Sequence, residues 1–353
     1  MRHFRAIAAA ALLGAIANSS LLAETSSWSK QIDVPKPRPG AKVKLTPAPG
    51  ATTITKGTAP AGKDPISKSM VQPSGDDAAY IAFDQGQYLT AKKLAEEAAK
   101  RGEPQAHTLL GGLYAEGLGV PKDLGAAVKW YTRADELGDV QAAFALGVLY
   151  AEGRGVKKDR AKAAELFEKA ARTGHPLANY NLGLLFLKGD GKPQNPYRAA
   201  MHIRYAAEKG IAAAQFDMGG LYQNGVGVDP DAVAASHWLG KAAQQGMAEA
   251  QFEYAVLLLR GLGLTRDEPK AVPYLKSAAQ KGLVTAQNRL AYVYSEGVSV
   301  NKSPLEAAKW RLIAKAGGLK DPALDAVVEK LPKEQRLAAE KAATEWREQA
   351  GLF

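Results

Sequence analysis

The chain contains no cysteine. That excludes disulfides as a source of stability, thiol nucleophiles, and cysteine-ligated zinc. It also excludes lipid anchoring at an export cleavage site, which requires a cysteine to carry the lipid. Aromatic residues make up only 7% of the chain. No run approaches the ~20 apolar residues that a membrane-spanning helix needs. Histidine is scarce. Outside the first 23 residues there are His107, His175, His202 and His237, and no two stand at metal-ligand spacing. A nucleophile elbow of the form G-x-S-x-G is missing, Ser236-His237 is only a neighbouring pair, and no Walker lysine follows any glycine-rich turn. Neither a catalytic constellation nor a cofactor or metal site is expected, and no nucleic-acid motif is present.

What is present begins with an address. Arg2 and Arg5 precede the short apolar stretch Ala6–Ala17, and Leu21-Leu22-Ala23 ends on a small residue. This is the pattern of a secretory signal, with cleavage expected after Ala23. The mature chain is then exported, periplasmic in a Gram-negative cell or else secreted. The formal charge of the whole chain is +10, an excess that favours acidic partners or surfaces and says nothing about fold.

Residues 24–77 differ in kind. They hold Pro35, Pro37, Pro39, Pro47, Pro49, Pro60, Pro65 and Pro73. Between positions 30 and 68, Lys and Arg are opposed only by Asp33 and Asp64. Proline favours extended backbone, and so little apolar surface cannot offset the entropy of ordering. A disordered basic arm is expected. It serves either as a spacer or as a tether for an anionic wall polymer or a docking partner.

From residue 106 the chain repeats. Gly111–Val120 reads GGLYAEGLGV and returns as Gly147–Val156, Gly183–Lys192 and Gly219–Val228, then more weakly as Ala255–Leu264 and Ala291–Val300. The period is 36 residues without slippage, which marks a repeat architecture. The spacing predicts a first helix over about 104–116 and a second over about 124–137. Alanine recurs at 106, 142, 178, 214, 250 and 286, and glycine at 111, 147, 183 and 219. Glycine in a helix costs about 1 kcal/mol against alanine, so this recurrence implies close helix packing. The two glycines of each loop supply the positive φ of a reversal, and the loop valine turns inward over the helix pair. Asp123, Asp159, Asn195, Asp231, Asp267 and Ser303 stand where the second helix needs a cap. Gly138 and its five equivalents stand where it ends. Ala127, Trp130 and Ala134 are expected to form its buried stripe. Trp130 returns as Leu166, His202, Trp238, Tyr274 and Trp310, so His202 is read as a packed residue and His175 as a solvated one.

The pattern A-x-x-x-L-G-x-x-Y-x-x-G-x-G-V-x-x-D…A-x-x-W-x-x-A-A-x-x-G resembles the Sel1-like repeat, a longer-looped relative of the tetratricopeptide repeat. In the second unit it is carried by Ala142, Leu146, Gly147, Tyr150, Gly153, Gly155, Val156, Asp159, Ala163, Ala170, Ala171 and Gly174. The resemblance covers six units over 106–321. It implies an all-α fold, an α/α solenoid superhelix that scaffolds protein–protein contact, often in the bacterial envelope. Residues 78–105 read as a degenerate N-terminal helix pair and 322–353 as capping helices, the last running through Leu337, Ala338, Ala342 and Trp346. Two departures stand out. Pro193 and Pro196 crowd the third loop, and Pro273 lies inside the fifth second helix, where it should kink.

The candidate binding face is a ladder on the first helices: Phe144, Tyr180, Phe216 and Phe252, preceded by His107, Asn179, Gln215, Gln251 and Gln287 in the residue before. Aromatics supply contact area and amides pair with peptide backbone, so a concave groove for a protein segment is one reading. The other is that the aromatics pack between repeats. The functional expectation is a non-enzymatic exported adaptor for an envelope protein, such as a sensor kinase or an export or assembly machine. The alternatives are a cell-wall or acidic-polysaccharide binder and a β-lactam-interacting hydrolase. The last is an activity described for disulfide-stapled relatives, and it lacks support here without cysteine or an acylation motif.

Overall fold

The computed structural model describes residues 75–351. The expectations for residues 1–23 and for nearly all of the 24–77 arm fall outside that range. The described residues form helices only, and α1 (Gly75–Asp84) begins three residues inside the expected arm. It pairs with α2 (Tyr88–Lys100). The six repeats then contribute α3 (Pro104–Glu116) and α4 (Leu124–Glu136), α5 (Val140–Glu152) and α6 (Arg160–Arg172), α7 (Pro176–Lys188) and α8 (Pro196–Glu208), α9 (Ala212–Asn224) and α10 (Ala232–Gln244), α11 (Ala248–Arg260) and α12 (Glu268–Gln280), and α13 (Val284–Glu296) and α14 (Pro304–Ala316). Two further helices, α15 (Pro322–Glu329) and α16 (Lys333–Gln349), follow. Within each of the two compact units described below, consecutive helices pack on one another in the manner of an α/α solenoid. None of the described helices is long and apolar enough to cross a membrane.

The local chemistry of each repeat follows its sequence. Each loop's first glycine caps the first helix in the left-handed conformation, Gly117 at φ 73° and Gly225 at φ 65°. The second loop glycine answers a different need. It also has positive φ, and a Cβ on Gly155 would stand 2.6 Å from the carbonyl oxygen of Leu124, at the start of the preceding second helix. The sixth repeat puts Ser299 at this position with φ 51°. The second helices begin on side-chain caps as expected: Asp123 accepts from the Ala126 amide at 2.9 Å and Asn195 from that of Arg198 at 3.0 Å. Pro196 is the first residue of α8, where its missing N–H is harmless, so the crowded third loop keeps its form. Proline at 273 does not interrupt α12, which runs unbroken through it. Pro273 and Pro269, the residue whose carbonyl loses its partner, both face solvent.

The chain divides into two compact units between Leu166 and Phe167. In the first, Ala79, Phe83, Ala91, Ala95 and Ala98 of α1 and α2 pack with Ala106, Leu109, Leu110 and Leu113 of α3. A second cluster joins Ala127, Tyr131 and Ala134 of α4 to Leu146 and Leu149 of α5. The buried stripe of α4 thus runs through Tyr131, and Trp130 is only half-buried. The reason is Gly111: a Cβ there would lie 2.6 Å from the Tyr131 ring, so the missing side chain is the socket for residue 131. The same pairing recurs in the second unit, where Gly183 faces Ile203 and Gly219 faces Leu239.

The second unit ends on an exception. Arg311 occupies the register of Ile203, Leu239 and Leu275, and it is 0% exposed. Its guanidinium donates to Asp325 Oδ1 and Oδ2 at 2.9 and 3.1 Å, to Asn288 Oδ1 at 3.0 Å and to the Leu319 carbonyl at 3.0 Å. A buried charge is tolerable only when paired this fully. Arg311 ties α14 to the capping helices, and beside it Trp310 meets Trp346 edge-on at 5.4 Å. On α16 the buried positions are Ala339 and Ala343, one residue along from Ala338 and Ala342, and Leu337 is 54% exposed.

Candidate functional site

The amide ladder is buried and bonded within the fold. Gln215 Nε2 donates to the Ala207 carbonyl at 3.0 Å, Gln251 to Ala243 at 3.3 Å and Gln287 to Ala279 at 3.2 Å. Asn179 donates to the Ala171 and His175 carbonyls. Each donor satisfies a last-turn carbonyl of the preceding second helix, a group that helix leaves underused. These residues clip one repeat to the next. His107 is buried as well, with Nδ1 2.9 Å from the Glu103 carbonyl and its ring tilted against Trp130.

The aromatic column divides. Phe144 and Tyr180 are buried, whereas Phe216 and Phe252 are half-buried on the core of their unit. Asn288 ends the column by donating to Asp321 at 2.8 Å while accepting from Arg311. His202 is half-buried, stacked on Phe186, with Nδ1 2.9 Å from Asn179 Oδ1. Burial, then nearby Arg198, holds its pKa below the usual range. His175 accepts from the Ala178 amide at 3.1 Å and so caps α7.

One register further along the first helices the chemistry changes. This position reads Leu109 and Ala145 in the first two repeats, both buried, then Asn181, Asp217, Glu253 and Arg289. Asn181 is 1% exposed, and neither its Nδ2 nor its Oδ1 has a hydrogen-bond partner. Tyr180 Oη donates to Asp217 Oδ2 at 2.8 Å, linking α7 to α9. Burial pushes the Asp217 carboxyl up to about 6, against the opposing pull of the Tyr180 hydroxyl and of Lys188. Glu253 is raised by burial alone. Three residues beyond Asp217, on the same helix face, a Cβ on Gly220 would meet nothing within 4 Å. Half-buried carboxylates, an unpaired amide, flanking aromatics and an open glycine therefore share one face of α7, α9 and α11.

Six consecutive segments of the chain match the Sel1 repeat, over residues 104–139, 140–175, 176–211, 212–247, 248–283 and 284–318. The chain belongs to the Sel1 repeat family. Among solved structures it is similar to a Sel1 repeat protein from Oxalobacter formigenes, at 30% identity over 71% of this chain and 99% of that one, with a TM-score of 0.61. It is also similar to c5321, a protective antigen of uropathogenic Escherichia coli with this repeat fold, at 25% identity over 78% and 68% of the two chains, with a TM-score of 0.56. No curated protein matches the chain. Sel1 repeat proteins are generally non-catalytic scaffolds for protein contact.

In this Sel1 array the polar register is legible as a break in an apolar column, Leu109 and Ala145 giving way to Asn181, one position along from the aromatic ladder. A second surface lies on the second helices of the same unit. A cleft of about 670 Å³ is lined by Tyr197, Met201, Arg204, Tyr222 and Pro230, with Tyr197 67% exposed. Two of its polar groups are engaged within the fold: Arg204 donates to Tyr222 Oη at 3.0 Å, and Asp231 caps α10.

Proposed function

We propose that this Sel1 repeat protein is an exported adaptor without catalytic activity. It holds an envelope protein, a sensor kinase or a component of an export or assembly machine, on the first-helix face of α7, α9 and α11. The observation that carries the reading is the unpaired Asn181 amide, set in register with the half-buried carboxylates Asp217 and Glu253. A fold selected for stability alone would keep the leucine or alanine of the earlier repeats there, because an unsatisfied buried amide costs about 1–3 kcal/mol. Export is supported by the charge and apolar pattern of residues 1–23.

A photo-crosslinking residue at Phe216 or Phe252, compared with one at the exposed outer position Glu165, tests the reading in cells that express the chain. The expected result is one shared protein adduct from positions 216 and 252 and none from 165. A wall-polymer adduct, with no protein, would favour the alternative in which the basic arm engages an anionic polysaccharide.

A further inference from the structure

We propose that the face formed by Asn181, Asp217, Gly220 and Glu253 receives an extended basic segment of the partner protein. Asn181 pairs with one of its peptide groups, and the two carboxylates take a lysine or arginine side chain. This rests on the protein-binding reading above and specifies its chemistry.

Four observations support it. The first two repeats carry Leu109 and Ala145 at this register, so the fold does not require a polar residue there. Asn181 offers a free donor and a free acceptor, the complement of a peptide N–H and C=O. Asp217 is bonded only by the Tyr180 hydroxyl, and Glu253 has no hydrogen-bond or ion-pair partner among the described residues. Carboxylates withdrawn from water are costly unless paired, and of these two only Asp217 feels a nearby cation, Lys188, without an ion pair to it. Beside them, Gly220 leaves open space, and Phe216 and Phe252 offer half-buried rings along which a lysine stem can lie. The whole chain carries a formal +10, so bulk charge repels a basic ligand and any attraction is local to this face. Lys188 and Arg289 bound the acidic stretch on either side and limit it to two repeats. Because Asn181 is 1% exposed, its pairing includes a side-chain rotation of the kind common at interfaces.

The test uses the full chain and two fluorescein-labelled decapeptides alternating threonine and lysine, one with free lysines and one with every lysine acetylated, read by fluorescence anisotropy. The native chain is expected to prefer the free-lysine peptide at least ~10-fold, the scale of one charge-assisted contact. The Asp217→Asn, Glu253→Gln double variant loses that preference. Asn181→Leu weakens both peptides about equally, by roughly fivefold as one neutral hydrogen bond implies. Glu345→Gln on α16 changes neither. Thermal melts confirm that each variant is folded, and leucine at this register is already accepted at position 109. Equal affinity for the two peptides, or a preference that survives the double variant, overturns the inference. So does a native dimer that the double variant converts to monomer, because the occupant is then the basic 30–68 stretch of a second copy. Adducts at position 216 that persist in the double variant overturn the basic chemistry and leave the protein-binding reading intact. Loss of all adducts in the native chain overturns that reading itself.

Discussion

Residues 75–166 and residues 167–351 are made from the same 36-residue unit and treat its registers differently. In the first, the registers of Leu109 and Tyr131 hold apolar or aromatic residues in the core, and the outer positions Gly125 and Lys129 are small or charged. The second substitutes Asn181, Asp217 and Glu253 at one register and Arg311 at another, and places Tyr197, Met201 and Val233 on the outside. The backbone tolerates both because its helix ends and the first glycine of each loop are common to all six repeats, whereas the amide clips belong to the second unit alone. The first unit keeps the apolar consensus at these registers, while the second carries the departures from it, which is where function is expected to reside.

The comparison can be broken most forcefully at Arg311. Replacing it with alanine strands Asp325 and Asn288 and should cost about 3–5 kcal/mol, the range for breaking a buried ion pair. Arg311→Leu restores the apolar residue of the other repeats and should cost markedly less, since Asp325 is partly exposed and can be solvated. Urea unfolding of both variants checks this, and equal losses would show that the pair is not what matters.

A reciprocal exchange sharpens the contrast. Leu109→Asn should destabilise the first unit by about 2–4 kcal/mol, from a lost apolar contact and a buried unsatisfied amide. Asn181→Leu should stabilise the second by about 1–2 kcal/mol, by removing such an amide. Chemical denaturation that finds Asn181→Leu destabilising would mean the native amide has a partner after all.

Asp217 makes the second unit sensitive to pH. Its folded pKa of about 6 lies above the usual carboxylate value, so the folded state holds a proton that the unfolded state has released between about pH 4 and 6. The stabilisation that proton provides is fully present below that window and lost as pH rises through 6. Asp217→Asn should flatten the profile and gain about 1 kcal/mol at pH 7.5, read as melting temperature from pH 4.5 to 7.5. An unchanged slope would assign the dependence to another group.

The smallest effect concerns Ser299, the non-glycine at a loop position that is otherwise glycine. Ser299→Gly relieves the left-handed backbone but frees the unfolded chain, for a net gain of about 0.5 kcal/mol. Differential scanning calorimetry resolves the sign, and a loss would show that the Ser299 hydroxyl, 3.4 Å from Glu268 Oε2, outweighs the backbone relief.

The period, the helix boundaries, the caps and the helix-ending glycines were all legible in the sequence, because they depend on contacts within a few residues. An Asp side chain reaches an amide three positions on, and a left-handed turn admits glycine wherever it occurs. Family membership followed from the same local pattern repeated in phase. Only the tertiary structure decided which side chains face inward. Trp130 yielded the core to Tyr131 because Gly111 opens a socket on the facing helix. The amides that suggested a groove reach back eight residues to carbonyls of the preceding helix. Tyr180 meets Asp217 across 37 positions and Arg311 finds Asn288 across 23. Asn181 is left unpaired by what the neighbouring side chains do not supply. Those outcomes depend on what a neighbouring repeat presents, and a single helix does not encode it.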